Sequence, residues 1–518
     1  MIKFLERALV SALFFIFGVM KLHTPKLAAL FVMIFWWMQC SAGKVYDFSI
    51  TCQQAYHEIN CLKLNAGQQW INKARQENPD NLIPELLQSY IDFYILFFNE
   101  DPEEYKARKS HFDDYFDKLD EGPEASPFYY YCRATVLMQK ACVQIKFGET
   151  MSAGFSFRRA FGMIKSNRKK FPSFTLNNMI YGPALVAAGV IPDSYKLLAS
   201  IFGVKGSVKE GIGVIQGFVN SNDPWAKLFF NEGSFYYCYL VFYIQNKPDE
   251  AFNYIKTHNL DVVNNHLLAY MAANLAMNNK ETELAKNIIL KRNMSPEYMA
   301  APFWDFEMGY VKLRHLETAE AEKLFESYLD HFKGKFYIKD ACEKLCWCYY
   351  LDGNYGAAEK ARQRLLNSGN TETDADKQAS TDAKSGIIPN TLLLKARVLN
   401  DGGYNNEALT VLAGKSANDF AKMEEKLEFV YRLARIYDDL GNYDSALKTY
   451  NYTIGIGINR REYYAARSAL QVAMIYEKQG KTDLAIQYYQ KCLDMDDHEY
   501  KNSIDQKAKA GMARCKGL

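Results

Sequence analysis

The chain has 518 residues, more than one compact hydrophobic core encloses, so several units or one elongated stack are expected. Hydrophobic residues at 49% and charged residues at 24% exclude wholesale disorder. Lys and Arg number 62 against 60 Asp and Glu, and the net charge of +2 provides no global attraction to nucleic acid or to an anionic membrane.

Two apolar runs open the chain, Ala8 to Met20 and Leu27 to Met38. Both fall short of the roughly 20 residues that span a bilayer. Lys21, His23 and Lys26 precede the second run, and Cys40-Ser41-Ala42-Gly43 follows it with small residues placed as a cleavage site requires. Residues 1–42 therefore read as an export signal cleaved near Ala42-Gly43, with Met20 as a candidate start. The alternative is an uncleaved anchor. Ten of the eleven cysteines follow Ala42. Cys52 and Cys61 lie on opposite sides of one expected helix, too far apart for a disulfide. Small buried hydrophobes in helix contacts account for the set better.

Residues 43–225 read as an N-terminal helical domain. Helical spacing of apolar residues predicts helices over Gln53 to Lys63, Ala66 to Gln76 and Leu82 to Phe98, with Pro84 in a first turn. A polar helix follows over Tyr105 to Leu119, then an antiparallel pair, Pro127 to Phe147 and Ser152 to Lys170, turning at Gly148. From Ile180 to Val219 a Gly- and Pro-punctuated apolar run predicts two or three short buried helices. A membrane-touching hairpin is the alternative there. Gly211, Gly213 and Gly217 have no preceding strand, so a dinucleotide fingerprint is excluded and close helix approach is expected.

Residues 226–518 are governed by a degenerate repeat. An anchor alanine recurs at Ala251, Ala285, Ala321, Ala358, Ala408, Ala446 and Ala485. Its partner in the preceding helix falls at Tyr239, Ala273, Gly309, Cys346, Ala396, Ala434 and Ala473, of which Tyr239 and Cys346 break the small-residue rule. Partner positions are 34 to 39 residues apart, except for one step of 50. That period marks stacked helical hairpins. The long step contains residues 367–386, a Ser/Thr/Asp-rich stretch expected to be a polar loop insertion. A helix over Ser503 to Cys515 would cap the stack.

The pattern resembles the tetratricopeptide repeat family, most closely in the copies around Ala434 and Ala473. Gly353-Asn354-Tyr355 and Gly441-Asn442-Tyr443 match its hairpin turn, and Gly403-Tyr404 matches with a shift. The resemblance implies an all-α fold, an α-solenoid of antiparallel helix pairs forming a superhelix, with an irregular helical N-terminal region. Together with the export signal, the array looks like predicted exported tetratricopeptide proteins of Gram-negative bacteria, in the periplasm or associated with the outer membrane.

In that family the first helices line a concave groove that binds peptides or partner proteins. The equivalent positions here nominate Trp347, Tyr350, Arg397, Asn400, Tyr431, Arg435 and Asp438. Arg397 and Arg435 occupy matching places in neighbouring copies, a basic stripe for a carboxylate unless acids such as Asp438 pair with them. The Lys/Asn clamp of one subgroup is absent.

Little else in the sequence points to chemistry. The eight histidines form no H-E-x-x-H, no phosphate loop occurs, and Cys52, His57 and Cys61 do not share a helical face. Arg158 to Lys170 is the densest basic patch and reads as a solvated face. No catalytic residue, metal ligand or cofactor is nominated. The expectation is a non-enzymatic, exported scaffold for protein partners, with a membrane-anchored helical envelope protein as the alternative.

Overall fold

The computed structural model describes residues 43–189 and 205–517. Both N-terminal apolar runs, and the part of the Ile180 to Val219 run from 190 to 204, lie outside them. Among the described residues the fold is helical throughout, with one isolated parallel bridge between Val45 and Asn81. No described helix is long and apolar enough to cross a membrane.

The first half runs α1 (Ile50–Asn60), α2 (Leu64–Glu77), α3 (Ile83–Asn99), α4 (Pro102–Arg108), α5 (His111–Lys118), α6 (Pro127–Lys146), α7 (Thr150–Lys170), α8 (Asn177–Gly189), α9 (Val208–Val219) and α10 (Pro224–Leu228). Prolines open α4, α6 and α10, where the missing N–H costs nothing, and Asp101, Ser126 and Asp223 cap them. The polar helix expected over Tyr105 to Leu119 is two helices. The chain bends between them, and Arg108, His111 and Tyr115 all converge on the buried carboxylate of Asp92. Helices α8 and α9 cross at their backbones. A Cβ on Gly211 would lie 2.6 Å from the Gly182 carbonyl oxygen, while Gly213 and Gly217 face open space. Only the first of the three glycines serves close approach.

The second half is a train of antiparallel pairs: α11 (Phe230–Tyr239) with α12 (Pro248–Thr257), α13 (His266–Asn278) with α14 (Thr282–Lys291), α15 (Phe303–Arg314) with α16 (Thr318–His331), and α17 (Ile338–Leu351) with α18 (Tyr355–Asn367). After α19 (Asp374–Ser385) come α20 (Thr391–Asp401) with α21 (Asn405–Leu412), α22 (Met423–Asp439) with α23 (Tyr443–Gly457), α24 (Tyr464–Lys478) with α25 (Thr482–Leu493), and α26 (Lys501–Cys515). All seven anchor alanines are fully buried. Gly309 is as tight, since a Cβ there would meet the Phe325 ring at 2.9 Å. In the first pair, Cys238 is the fully buried small residue, and Tyr239 is only partly covered, stacking on Tyr243.

A conformational register underlies these pairs. Five residues before each anchor alanine stands a residue with positive φ: Asn246, Lys280, Leu316, Gly353, Gly403, Gly441 and Gly480. This left-handed residue follows each first helix, in the first pair after the π-helical turn Leu240–Ile244, and reverses the chain. Gly403 is thus in register, and only the aromatic beside it is displaced. In the two full Gly-Asn-Tyr turns the asparagine then caps the next helix, Asn354 accepting from the Ala357 N–H and Asn442 from the Ser445 N–H.

Residues 367–386 are not a plain loop. Helix α19 docks on α17 through Ala379 and Ala383. Its buried Asp376 accepts from the backbone N–H groups of Tyr337 and Asp340, satisfying the start of α17. Polar composition hid a helix that packs with alanine and hydrogen bonds in place of large apolar side chains. The first hydrophobic cluster runs unbroken from Phe48 to Leu275, so the last N-terminal helices and the first hairpins share one core.

Candidate interaction site on the repeat array

The nominated residues sit on the first helices of successive pairs, α17, α20 and α22. Trp347 on α17 is buried, with the Lys344 ammonium 3.8 Å and the Arg397 guanidinium 4.4 Å from its ring centroid. Tyr350, also buried, lies 6.1 Å from Tyr355 by ring centroids. Tyr431 packs among Tyr450, Tyr463 and Tyr464.

The charged residues form one network around Asp401, the last residue of α20. Arg435 approaches it at 3.0 Å and Arg397 at 3.7 Å. Both arginines therefore pair with an acid, but with Asp401 and not with Asp438. Burial alone would favour the protonated form of Asp401. The guanidinium of Arg435, followed by that of Arg397, overturns this and holds the carboxyl well below the usual range. Burial works against the charge on Arg435, and Asp401 together with Tyr431 and Asp439 more than offsets it. Asn400 is buried and donates to Asn405 Oδ1 at 2.8 Å and Asp439 Oδ2 at 2.6 Å. Asp438 accepts from the Tyr450 hydroxyl at 3.2 Å, and burial, then the neighbouring charge of Asp439, pushes its carboxyl up to about 6.

Lys280 completes the network from far away in sequence. It pairs with Asp439 across 159 residues, and burial, then the charge of Arg435, pushes its ammonium down to about 8. The turns around it interlock. The Tyr404 hydroxyl meets Glu283 at 2.8 Å and the His315 ring at 2.7 Å. A Cβ on Gly403 would lie 2.2 Å from the Lys280 carbonyl oxygen. The hairpin turns α13–α14, α15–α16 and α20–α21 thus close on one another, which no reading of a linear period shows. Asp401 was within reach of sequence reasoning, standing one turn after Arg397. Lys280 left no local signal.

Two buried polar atoms in this network lack a hydrogen-bond partner, Arg397 Nε and Asn400 Oδ1. The basic patch of α7 is spent differently: Arg159 covers the Phe116 ring at 4.0 Å and Arg168 the Tyr181 ring at 4.7 Å. Among the described residues no cluster of His, Cys, Asp or Glu could hold a metal ion.

No curated protein matches the chain in sequence. Among solved structures it is similar to the crystal structure of the APC/C hetero-tetramer Cut9-Hcn1, at 10% identity, over 90% of this chain and 99% of that one. The TM-score is 0.28, too low to superpose the two helical arrays. The family model described as tetratricopeptide repeat matches residues 427–451 and 466–498, the segments of α22–α23 and α24–α25. With that match and the shared turn register, the chain carries tetratricopeptide repeats.

Proposed function

We propose that this chain is an exported, non-enzymatic scaffold that binds other proteins through the inward face of its repeat array. The observation that carries the reading is the tetratricopeptide match on pairs whose register extends over seven copies. Such arrays present first helices side by side, and a partner segment laid along them gains apolar contacts for affinity and polar contacts for register. The face proposed here is the network of Arg397, Asn400, Asp401 and Arg435, flanked by Trp347, Tyr350, Tyr431 and Asp438. Arg397, whose Nε lies 3.7 Å from Asp401, and Arg435 suit an acidic or carboxylate-bearing segment that competes with Asp401. The partner class is protein or peptide, the setting the periplasm or outer membrane of a Gram-negative cell, and the supporting feature for export is the small-residue site at Cys40-Ser41-Ala42-Gly43.

Two measurements test this. Sequencing the N-terminus of the mature protein is expected to give Gly43, whereas retention of Leu27 to Met38 would favour a membrane anchor. Affinity capture with the mature protein is expected to return a reproducible protein that an Arg397→Gln/Arg435→Gln variant no longer retains. Capture unaltered by the double substitution would move the interface elsewhere.

A further inference from the structure

A cavity of about 680 Å³ lies between α3, α6, α7 and α8 of the first half and α11 and α13 of the second, with Phe336 and Glu372 also on its lining. That volume lies within the range, roughly 300–1,000 Å³, of sites that bury small organic ligands. Its walls are mostly rings and aliphatic carbon, with Phe93, Phe97, Phe157 and Phe235 prominent. Ile145, 53% exposed, and the exposed Ala187 stand at its rim, so the cavity opens to solvent.

Two polar groups set into this apolar wall have no role in the repeat register. Glu232 is 3% exposed. It accepts from the Tyr56 hydroxyl at 2.6 Å, the Tyr236 hydroxyl at 2.8 Å, and the Tyr90 hydroxyl at 3.1 and 3.2 Å. Among the described residues no ion pair reaches it. Burial raises its carboxyl pKa, against the lowering pull of the tyrosine hydrogen bonds. Gln139 is 5% exposed, and its Nε2 has no hydrogen-bond partner. The Ser89 hydroxyl lies 2.7 Å from both Gln139 Oε1 and the Leu86 carbonyl oxygen, but it has one proton to give. Whichever way the Gln139 amide is oriented, one of its ends is left over. A buried amide end without a partner costs free energy that a ligand can recover.

We propose that this cavity is a binding site for an apolar small molecule bearing a neutral hydroxyl head. A hydroxyl can donate to Glu232 and accept from Gln139 Nε2. A carboxylate head would place a second negative group beside Glu232, and an ammonium head has no lone pair for Nε2. The hydrocarbon body meets the aromatic walls.

The test uses the full chain and 1-dodecanol as probe, with dodecanoate and dodecylammonium as chain-matched controls, read by isothermal titration calorimetry. Dodecanol is expected to bind with one-to-one stoichiometry and at least about tenfold tighter than either control, the worth of roughly one hydrogen bond to a buried group. Gln139→Leu is expected to erase most of that preference. Ala187→Trp, a change at an exposed rim position, is expected to block all three probes without disturbing the fold. Equal binding of the three head groups, or dodecanol binding unaltered by Ala187→Trp, would overturn the assignment.

Discussion

His266 shows how burial of one side chain becomes a property of the whole chain. Its ring is 4% exposed and stacks on Tyr298 at 3.8 Å between centroids, and Nε2 lies 2.8 Å from the Asn293 carbonyl oxygen. Burial, opposed by that hydrogen bond and aided by the charge of Arg292, pushes its pKa down to about 4. In the unfolded chain the imidazole takes up a proton near pH 6.5. Its contribution to stability is therefore complete above about pH 6.5 and is lost as pH falls through the folded value of about 4. The separation of the two values corresponds to about 3 kcal/mol. Urea unfolding at pH 7 and pH 4 is expected to show the wild-type protein losing that much more stability than His266→Gln. An equal loss in both would mean the ring is hydrated in the native state.

The turn register makes a prediction at the level of the helical pair. Gly441 and Gly480 have positive φ and open space where a side chain would go. Replacing either with alanine is expected to cost about 1 kcal/mol, the backbone penalty alone. Gly403 has the same conformation but abuts the Lys280 carbonyl. Gly403→Ala is expected to lower the melting temperature by clearly more than the other two, because it pushes two hairpins apart. Similar shifts in all three would show that the turns do not interlock. The pairs themselves were legible in the sequence because buried alanines and turn glycines act locally, within one hairpin. Three features were not. Asn246, Lys280 and Leu316 take the glycine's conformation without being glycine, so composition conceals the turn. Helix α19 packs through alanines and Asp376, which hydrophobic periodicity does not register. The groove candidates were found on the expected helices, and Asp401 lies one turn from Arg397, yet the Lys280–Asp439 pair beside them depends on how distant turns meet, a property of the superhelix and not of any segment.

At the scale of the molecule, the two halves are stitched together. Glu100, at the end of α3, accepts from Lys146 at 2.6 Å and from the backbone N–H groups of Lys335 and Phe336 at 3.4 Å, while Lys333 reaches Asp101 at 2.8 Å. With the first core cluster extending to Leu275, removal of residues 43–225 would uncover Leu267, Leu268 and Met271. The isolated 226–518 segment is expected to melt well below the whole chain and to self-associate in analytical ultracentrifugation. A monodisperse segment with an unchanged transition would mean that the core divides near residue 225. Many helical arrays touch only their immediate neighbours along the line, and so lengthen elastically when pulled. Here the Lys280–Asp439 pair and the Tyr404 hydroxyl tie coils that the sequence separates by more than a hundred positions. Such ties clasp the coil at those turns, so that its local curvature is set before any partner arrives.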